Sequence, residues 1–537
     1  MANLDKVLGI LHRLTNQPWQ DHSADEPAGS VTGTHLLKAH TDVLLGTAVP
    51  TRAVRIMVTL GTEAATDFSL VHGLVEAGMD VARINCAHDD AVAWHRMAKL
   101  VRRAAKAARR EVKILMDLGG PKVRTGPMEP GPCVLKLRPQ RDALGHVVTP
   151  SRLWIGRVGE TSTPADCDGA IALEAPWFAQ LRVGSVIALT DARDKKRQLQ
   201  VVERHADGVV AECLQTYYLT PEVALVCKGS KGHKSFTARP SKISALPGGI
   251  RLYRGDKVQL TVDYAQDDLY DAPSAPQSAV PLHRISCTMP LVFGQVHSGE
   301  RILFDDGRIG GVVRKVSHNC MDIEIVQARE TGEPLAADKG INFPDSHLAL
   351  PALSEIDLVD LQAVCEIADL VGMSFVQESA EITDLLKALH ARKRGDMGLI
   401  LKIETLRGFE NLPALMLAAM AAPSAGVMIA RGDLAVECGF ERLAEIQEEI
   451  LCCAEAAHMP VIWATQVLET MGKTGIPSRA EISDASMGER AECVMLNKGT
   501  FVTEAVRVLD DILKRMAGHQ AKKSPLLRAL KAWNGSH

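Results

Sequence analysis

Eight short apolar runs, each followed by a segment of helical period, set the narrowest limit on what this chain can fold into. Three come early: Val54–Leu60, Asp80–Ile84 and Val112–Asp117. Five come late: Ala368–Phe375, Gly398–Ile403, Ala425–Ala430, Pro460–Thr465 and Ala491–Leu496. These runs are largely continuous rather than alternating, the pattern of strands buried on both faces of a parallel sheet. The segments between them carry one-sided apolar spacing. In Glu441–Ala457, for example, Leu443, Ile446 and Ile450 fall on one helical face. Helical stretches Asp67–Ala77, closed by Gly78, and Ala91–Arg109 follow the first two runs. The stretches 51–126 and 339–516 together hold about 250 residues, the usual size of a closed (β/α)8 barrel. An open doubly wound sheet gives similar local signals, but eight βα units favour closure. The expected fold class is α/β, a (β/α)8 TIM barrel interrupted after its third strand.

The interruption, 127–338, has a different rhythm. Short β-type runs such as Val186–Leu189, Val201–Glu203, Lys257–Val262 and Met321–Val326 recur between turn signals, and Asp267–Val280 reads as an exposed loop. An inserted β-rich domain is expected there. Residues 1–50 form an N-terminal extension, in which Met1–Arg13 is expected to be a helix packed on the barrel floor. Residues 517–537 form a C-terminal tail.

Composition narrows the class of partner. Of 537 residues, 46% are apolar but only 4% aromatic, so the core must be aliphatic. No apolar run reaches the roughly 18 residues of a membrane span. Lys and Arg number 61 against 65 Asp and Glu, a net charge of −4 that supplies no electrostatic case for nucleic acid or an anionic membrane. The twelve cysteines include no C-x-x-C pair, which argues against structural zinc or a disulfide framework, and Met1–Leu11 does not read as a secretory signal. A cytoplasmic protein with reduced thiols is expected. The basic cluster Arg102, Arg103, Lys106, Arg109 and Arg110 is expected to be a solvated helix face rather than an anion site.

In barrels of this kind, chemistry sits just past the C-terminal ends of the strands. Those positions hold Arg83, Asn85 and His88, then Asp117, Ser374 and Phe375, Lys402 and Glu404, Arg431 and Asp433, and Thr465 with Gln466. Lys402 and Glu404 flank Ile403, so both side chains face the barrel axis. Alone, they read equally well as a simple ion pair at the mouth. Asp433, after the flexible Gly432, adds a second acid. Glu404 and Asp433 would hold Mg²⁺ or Mn²⁺ while leaving positions for substrate oxygens and water. Lys402 beside them would neutralise charge on a phosphoryl group in transfer. An anionic, metal-bridged substrate suits this set better than a sugar or a peptide. The tight turn Asp117–Pro121 with Arg124–Gly126 matches neither a Walker A loop nor G-x-G-x-x-G, and Arg124 reads equally as hinge or phosphate contact. His88 and His95 are out of register for a shared metal.

These residues lie in stretches that resemble the pyruvate kinase family: Val81–Asn85 with His88, Asp305-Asp306-Gly307, Lys339–Pro344, Lys402–Glu404, Ala430–Leu434, Ala464–Gln466 with Leu468, Glu469 and Met471, and Ser478–Glu481. They occur in the family's order along the whole barrel, and the collinear set is far more specific than any member of it. The resemblance implies transfer of the phosphoryl group of phosphoenolpyruvate to ADP, giving pyruvate and ATP in the last step of glycolysis, with Mg²⁺ (or Mn²⁺) required. It implies Glu404 and Asp433 as metal ligands, Lys402 and Arg83 on the transferring phosphoryl group, and Thr465 with the backbone of Arg431, Gly432 and Asp433 on the substrate carboxylate. Asn85, His88, Arg124 and Lys339 correspond to nucleotide-side positions. The insertion corresponds to the family's mobile lid, and a homo-oligomer is compatible with the resemblance.

Several departures from the family pattern carry expectations of their own. Ala87 and Leu118 stand where the family's potassium site uses serine and threonine, and Lys122 stands where potassium-dependent members carry glutamate. The Lys122 ammonium is expected to replace the monovalent cation, so potassium should not be required. Leu496-Asn497-Lys498-Gly499 replaces a serine-bearing M-L-S-G-E-T-A segment, which leaves the proton donor to the enolate open. Thr62 replaces a usual proline. The insertion exceeds the usual lid in length, and the family's C-terminal domain and its sugar-phosphate activation are not expected. Two other readings stand beside this one: a metal-dependent aldolase or lyase acting on pyruvate or an enolpyruvate, and a regulatory relative whose activity has decayed.

Overall fold

The computed structural model describes residues 30–157, 166–174, 180–227, 235–241, 243–262, 282–351 and 353–517, with isolated positions at 11, 12, 14, 15, 18, 164 and 177. The loop Asp267–Val280, all of Met1–Arg13 except Leu11 and His12, and the tail beyond Ala517 lie outside the described residues.

Eight parallel strands close into a barrel: β1 (Arg55–Thr59), β2 (Val81–Asn85), β3 (Lys113–Asp117), β4 (Leu370–Met373), β5 (Gly398–Ile403), β6 (Ala425–Ala430), β7 (Val461–Ala464) and β8 (Cys493–Leu496). Closure is made by β1 against β8, in register from Arg55↔Cys493 to Val58↔Leu496. Alternate residues explain why the runs look uniformly apolar. Ile56, Ile114, Val371, Leu399, Val427 and Val494 pack outward under the helices. Met57, Val81, Leu115, Ile400, Met428 and Ile462 fill the interior.

The barrel floor is plugged by Leu44 and Leu45, the last residues of the helix Ser30–Leu45, which join the interior cluster. Two glycines make their seat. A Cβ at Gly398 or Gly426 would lie 2.9 or 2.7 Å from Leu44 side-chain carbons. The outer helices are set by local signals. Asp67 and Asp90 accept N-cap hydrogen bonds from Leu70 and Ala93, Gly78 ends its helix at φ 125°, and Ser354/Asp357 and Ser478/Glu481 form capping boxes. The basic cluster is a solvated face as expected, with Arg102, Arg103, Lys106 and Arg109 exposed, although three of its members also have partners. Arg102 reaches both oxygens of Asp369 at 2.8 Å, Arg103 stacks 4.1 Å above the Phe68 ring, and Arg110 pairs with Asp80 at 2.7 Å.

The chain divides into two compact units: 126–251 with 334–338, and the rest. The first contains a seven-stranded sheet with its own core, including Leu153, Ile187, Leu199 and Val209. The second contains the barrel and a six-stranded sheet with edge strands Leu282–Ser286 and Ile341–Asn342. No helix among the described residues is long and apolar enough to cross a membrane.

Candidate active site

The inward-facing positions turn from apolar to polar on the way up each strand. On β1 Met57 gives way to Thr59, on β2 Val81 to Arg83 and Asn85, and on β3 Leu115 to Asp117. On β5 Ile400 gives way to Lys402, and Glu404 follows just past its end. The period of two therefore raises charged groups to the C-terminal mouth while the floor stays dry.

These groups form an alternating chain of charge. Arg83 donates from Nε to Asp117 Oδ2 at 2.8 Å and from Nη1 to Thr59 Oγ1 at 2.9 Å. Lys402 Nζ lies 3.5 Å from the same Asp117 oxygen, donates to Ser374 Oγ at 2.6 Å and pairs with Glu404 Oε1 at 3.1 Å. Glu404 Oε2 accepts the Phe375 N–H at 2.7 Å. Lys122 Nζ reaches both oxygens of Asp433, at 2.7 and 3.0 Å. All of these residues but Asp117 and Thr59 line one cavity of about 230 Å³, with Asn85, Arg124, Thr465 and Asn497. A larger concavity, about 920 Å³, lies on the open face of the seven-stranded sheet. It gathers no comparable set of buried charges, so volume is a poor guide here.

Burial sets the electrostatics. It pushes the Asp117 carboxyl up, but Arg83 and Lys402 outweigh it and hold the group below the ordinary carboxylate range. Burial also works against the Lys402 ammonium, and Glu404 with Asp117 outweighs it, so the lysine stays charged. For Glu404, burial raises the pKa, with Lys402 opposing and Asp433 adding to the rise. Two carboxylates that line one cavity and raise each other's cost of ionisation are stabilised by a shared cation.

The donor set fits a divalent metal. Glu404 and Asp433 offer hard oxygens, and among the described residues no group of three or more His, Cys, Asp or Glu forms a ready-made cage. Two carboxylates completed by substrate and water is the arrangement Mg²⁺ commonly accepts.

The loop after β7 is strained. Thr465 and Gln466 have φ of 65° and 60°, in the left-handed region that non-glycine residues rarely adopt. This turn aims Thr465 Oγ1 at the start of the helix Arg431–Cys438, where it accepts the Gly432 N–H at 3.0 Å. The Arg431 guanidinium is spent elsewhere, on the Ala464 carbonyl at 2.8 Å and on Asp484 at 2.5 and 2.8 Å. It braces β6 against β7, so only backbone from this residue is available to a ligand.

Of the residues expected to face a nucleotide, Asn85 and Arg124 line the cavity and His88 and Lys339 do not. His88 stands near Arg124 and Lys498; burial first, then those cations, hold its pKa below the ordinary value. Lys339 lies outside the cavity lining, its Nζ 2.9 Å from Asp305. His95 pairs with Glu366 at 3.1 Å, away from His88. Residues not anticipated are Thr59 and Asp484, which orient Arg83 and Arg431. Thr59 was readable as the inward position two beyond Met57, whereas Asp484 has no local signal.

A family model described as the pyruvate kinase barrel domain matches residues 51–149 and 233–506. The chain is 30% identical over 323 residues to Pyruvate kinase PKLR of Rattus norvegicus, an alignment covering 57% of this chain and 51% of the rat protein. It is 28% identical over 487 residues to a pyruvate kinase of Mycobacterium tuberculosis, covering 89% of this chain and 72% of the relative. A pyruvate kinase of Methanocaldococcus jannaschii is 33% identical over 227 residues, 41% of this chain and 48% of that protein. The chain thus spans about half the length of the rat relative and nearly three quarters of the mycobacterial one. With the family model covering well over half of its residues, around a closed barrel whose mouth carries the charged set just described, the chain belongs to the pyruvate kinase family.

Proposed function

We propose that this chain transfers the phosphoryl group of phosphoenolpyruvate to ADP, giving pyruvate and ATP. The observation that carries this reading is the convergence of Lys402, Glu404 and Asp433 at one end of the barrel. Glu404 and Asp433 would hold Mg²⁺ or Mn²⁺. When bound, that ion would neutralise charge on the phosphoryl and enolate oxygens.

The chain's own groups supply the rest. Lys402, buried and charged, offers its ammonium to the phosphoryl oxygens as their charge shifts in transfer. Arg83 is held by Asp117 and Thr59, so its remaining N–H groups are oriented before the substrate arrives. Thr465 Oγ1, held in place by the Gly432 N–H, and the backbone N–H of Asp433 would receive the substrate carboxylate. The bond between the enol oxygen and phosphorus breaks, a bond from the ADP terminal oxygen forms, and the enolate carbon takes a proton. Asn85, His88, Arg124 and Lys339 would serve the nucleotide.

A coupled assay with phosphoenolpyruvate, ADP and Mg²⁺ tests the reading and is expected to show ATP formation. Turnover of an aldol substrate with no ATP would favour an aldolase or lyase, and phosphoenolpyruvate binding without turnover would favour a decayed regulator.

Lys122 carries a separate expectation. Its Nζ sits on Asp433 and 5.6 Å from the centre of the Phe375 ring, so a fixed positive charge stands at the cleft wall. The rate is therefore expected to be the same in potassium as in tetramethylammonium salts. Strong activation by potassium would refute this.

A further inference from the structure

A second cavity of about 260 Å³ adjoins the cleft, the two sharing Lys122 and Phe375 in their walls. Its apolar lining includes Phe343, Leu348 and Leu406, and one wall carries Glu437. Glu437 lies one turn beyond Asp433 on the helix Arg431–Cys438.

Asp433 and Asp345 work against the Glu437 charge and Arg301 favours it, while Lys122, His347, Arg407 and Glu410 line the same cavity. Arg407 is held by Glu378. Arg301 is taken by Asp345, with contacts from 2.6 to 3.1 Å, and Asp433 is taken by Lys122. Among the described residues Glu437 receives only the Asn342 amide, on Oε1 at 2.8 Å. Glu437 therefore has no ion-pair partner among the described residues, and it faces a cavity whose walls are part apolar and part polar. We propose that this cavity binds a small primary amine with an apolar body, its ammonium on Glu437 and its hydrocarbon against Phe343, Leu348 and Leu406.

The cavity falls just short of the ~300 Å³ at which drug-sized pockets begin, so the body is about the size of one aromatic ring with a short chain. Burial, partly offset by Asn342, pushes the Glu437 carboxyl up to about 7. A bound ammonium supplies the missing counter-charge and draws the carboxyl into its ionised form. The occupant would also press on Phe375, whose N–H holds Glu404, and on Lys122, which holds Asp433. This coupling to the metal ligands rests on the proposed function; the binding itself does not.

Binding is therefore tested without substrate. Calorimetric titration of the full chain with phenethylamine, above the Glu437 pKa, is compared with phenethyl alcohol and with hydrocinnamate. One-site binding of the amine is expected, about tenfold tighter than the alcohol, with no binding of the anion. Glu437→Gln should remove that advantage while leaving the alcohol unaffected. Leu348→Trp, which fills the cavity, should abolish binding of both and so separates this site from the cleft. As pH falls through about 7, amine affinity should decline, because the proton competes for Glu437. Absence of saturable amine binding, equal binding by wild type and Glu437→Gln, or unchanged binding by Leu348→Trp would each overturn the proposal.

Discussion

Lys402→Met is expected to lower turnover by about 10²–10³, on the order of 3–4 kcal/mol, as for loss of one preorganised donor to a developing charge. Methionine keeps the stem volume and removes only the ammonium. The neighbours have other partners: Asp117 keeps Arg83 at 2.7–2.8 Å, and Glu404 keeps the Phe375 N–H. The variant should therefore fold, though some stability is lost with a buried counter-charge. The effect should fall mainly on kcat, because the ammonium matters most as charge shifts during transfer, and KM for phosphoenolpyruvate should change less. Steady-state kinetics of wild type and variant at saturating Mg²⁺ make the comparison. A variant with wild-type kcat would remove Lys402 from the reacting phosphoryl group.

Much of this site was legible because a barrel strand encodes position by simple alternation. Lys402 and Glu404 both had to point inward once Ile403 pointed out, and the apolar runs located the strand ends to within a few residues. Long-range packing was not legible in this way. Nothing local in Ser30–Leu45 says that Leu44 will meet Gly398 and Gly426, hundreds of residues away. Arg431 stands among the candidate ligands, yet its guanidinium turns to Asp484 and the Ala464 carbonyl, a choice made by packing between β6 and β7. Glu437 and Asn342 form a pair only because the Ile341–Asn342 strand returns beside the helix Arg431–Cys438. The 127–338 insertion showed its β character in composition, but its distribution over two compact units depends on which strands pair, and periodicity carries no such information.

Gly372→Ala is the expected severe lesion outside the reacting groups. Gly372 occupies an inward position of β4, level with the charged layer, and pairs with Asp117 across the sheet. A Cβ there would lie 2.1 Å from Asp117 Oδ1 and 2.9 Å from its Cγ. Asp117 cannot simply turn away, because its other oxygen is held by Arg83 and faces Lys402. Its Oδ1 is buried with no hydrogen-bond partner among the described residues, packed instead against the space that a glycine leaves open. Overpacking typically costs about 1–3 kcal/mol, and a pinned carboxylate places this site at the upper end. The gain from a less flexible unfolded chain, about 0.4–1 kcal/mol for Gly→Ala, is too small to compensate. Denaturant midpoints should therefore fall for Gly372→Ala, and activity should fall with them as Arg83 and Lys402 lose their common anchor. Asp117→Ser clears the space, so the double variant should be less destabilised than the sum of the two single changes. A Gly372→Ala protein that unfolds at the wild-type midpoint, or strict additivity in the double variant, would show that the charged layer tolerates a methyl group and that its geometry is not held by this contact.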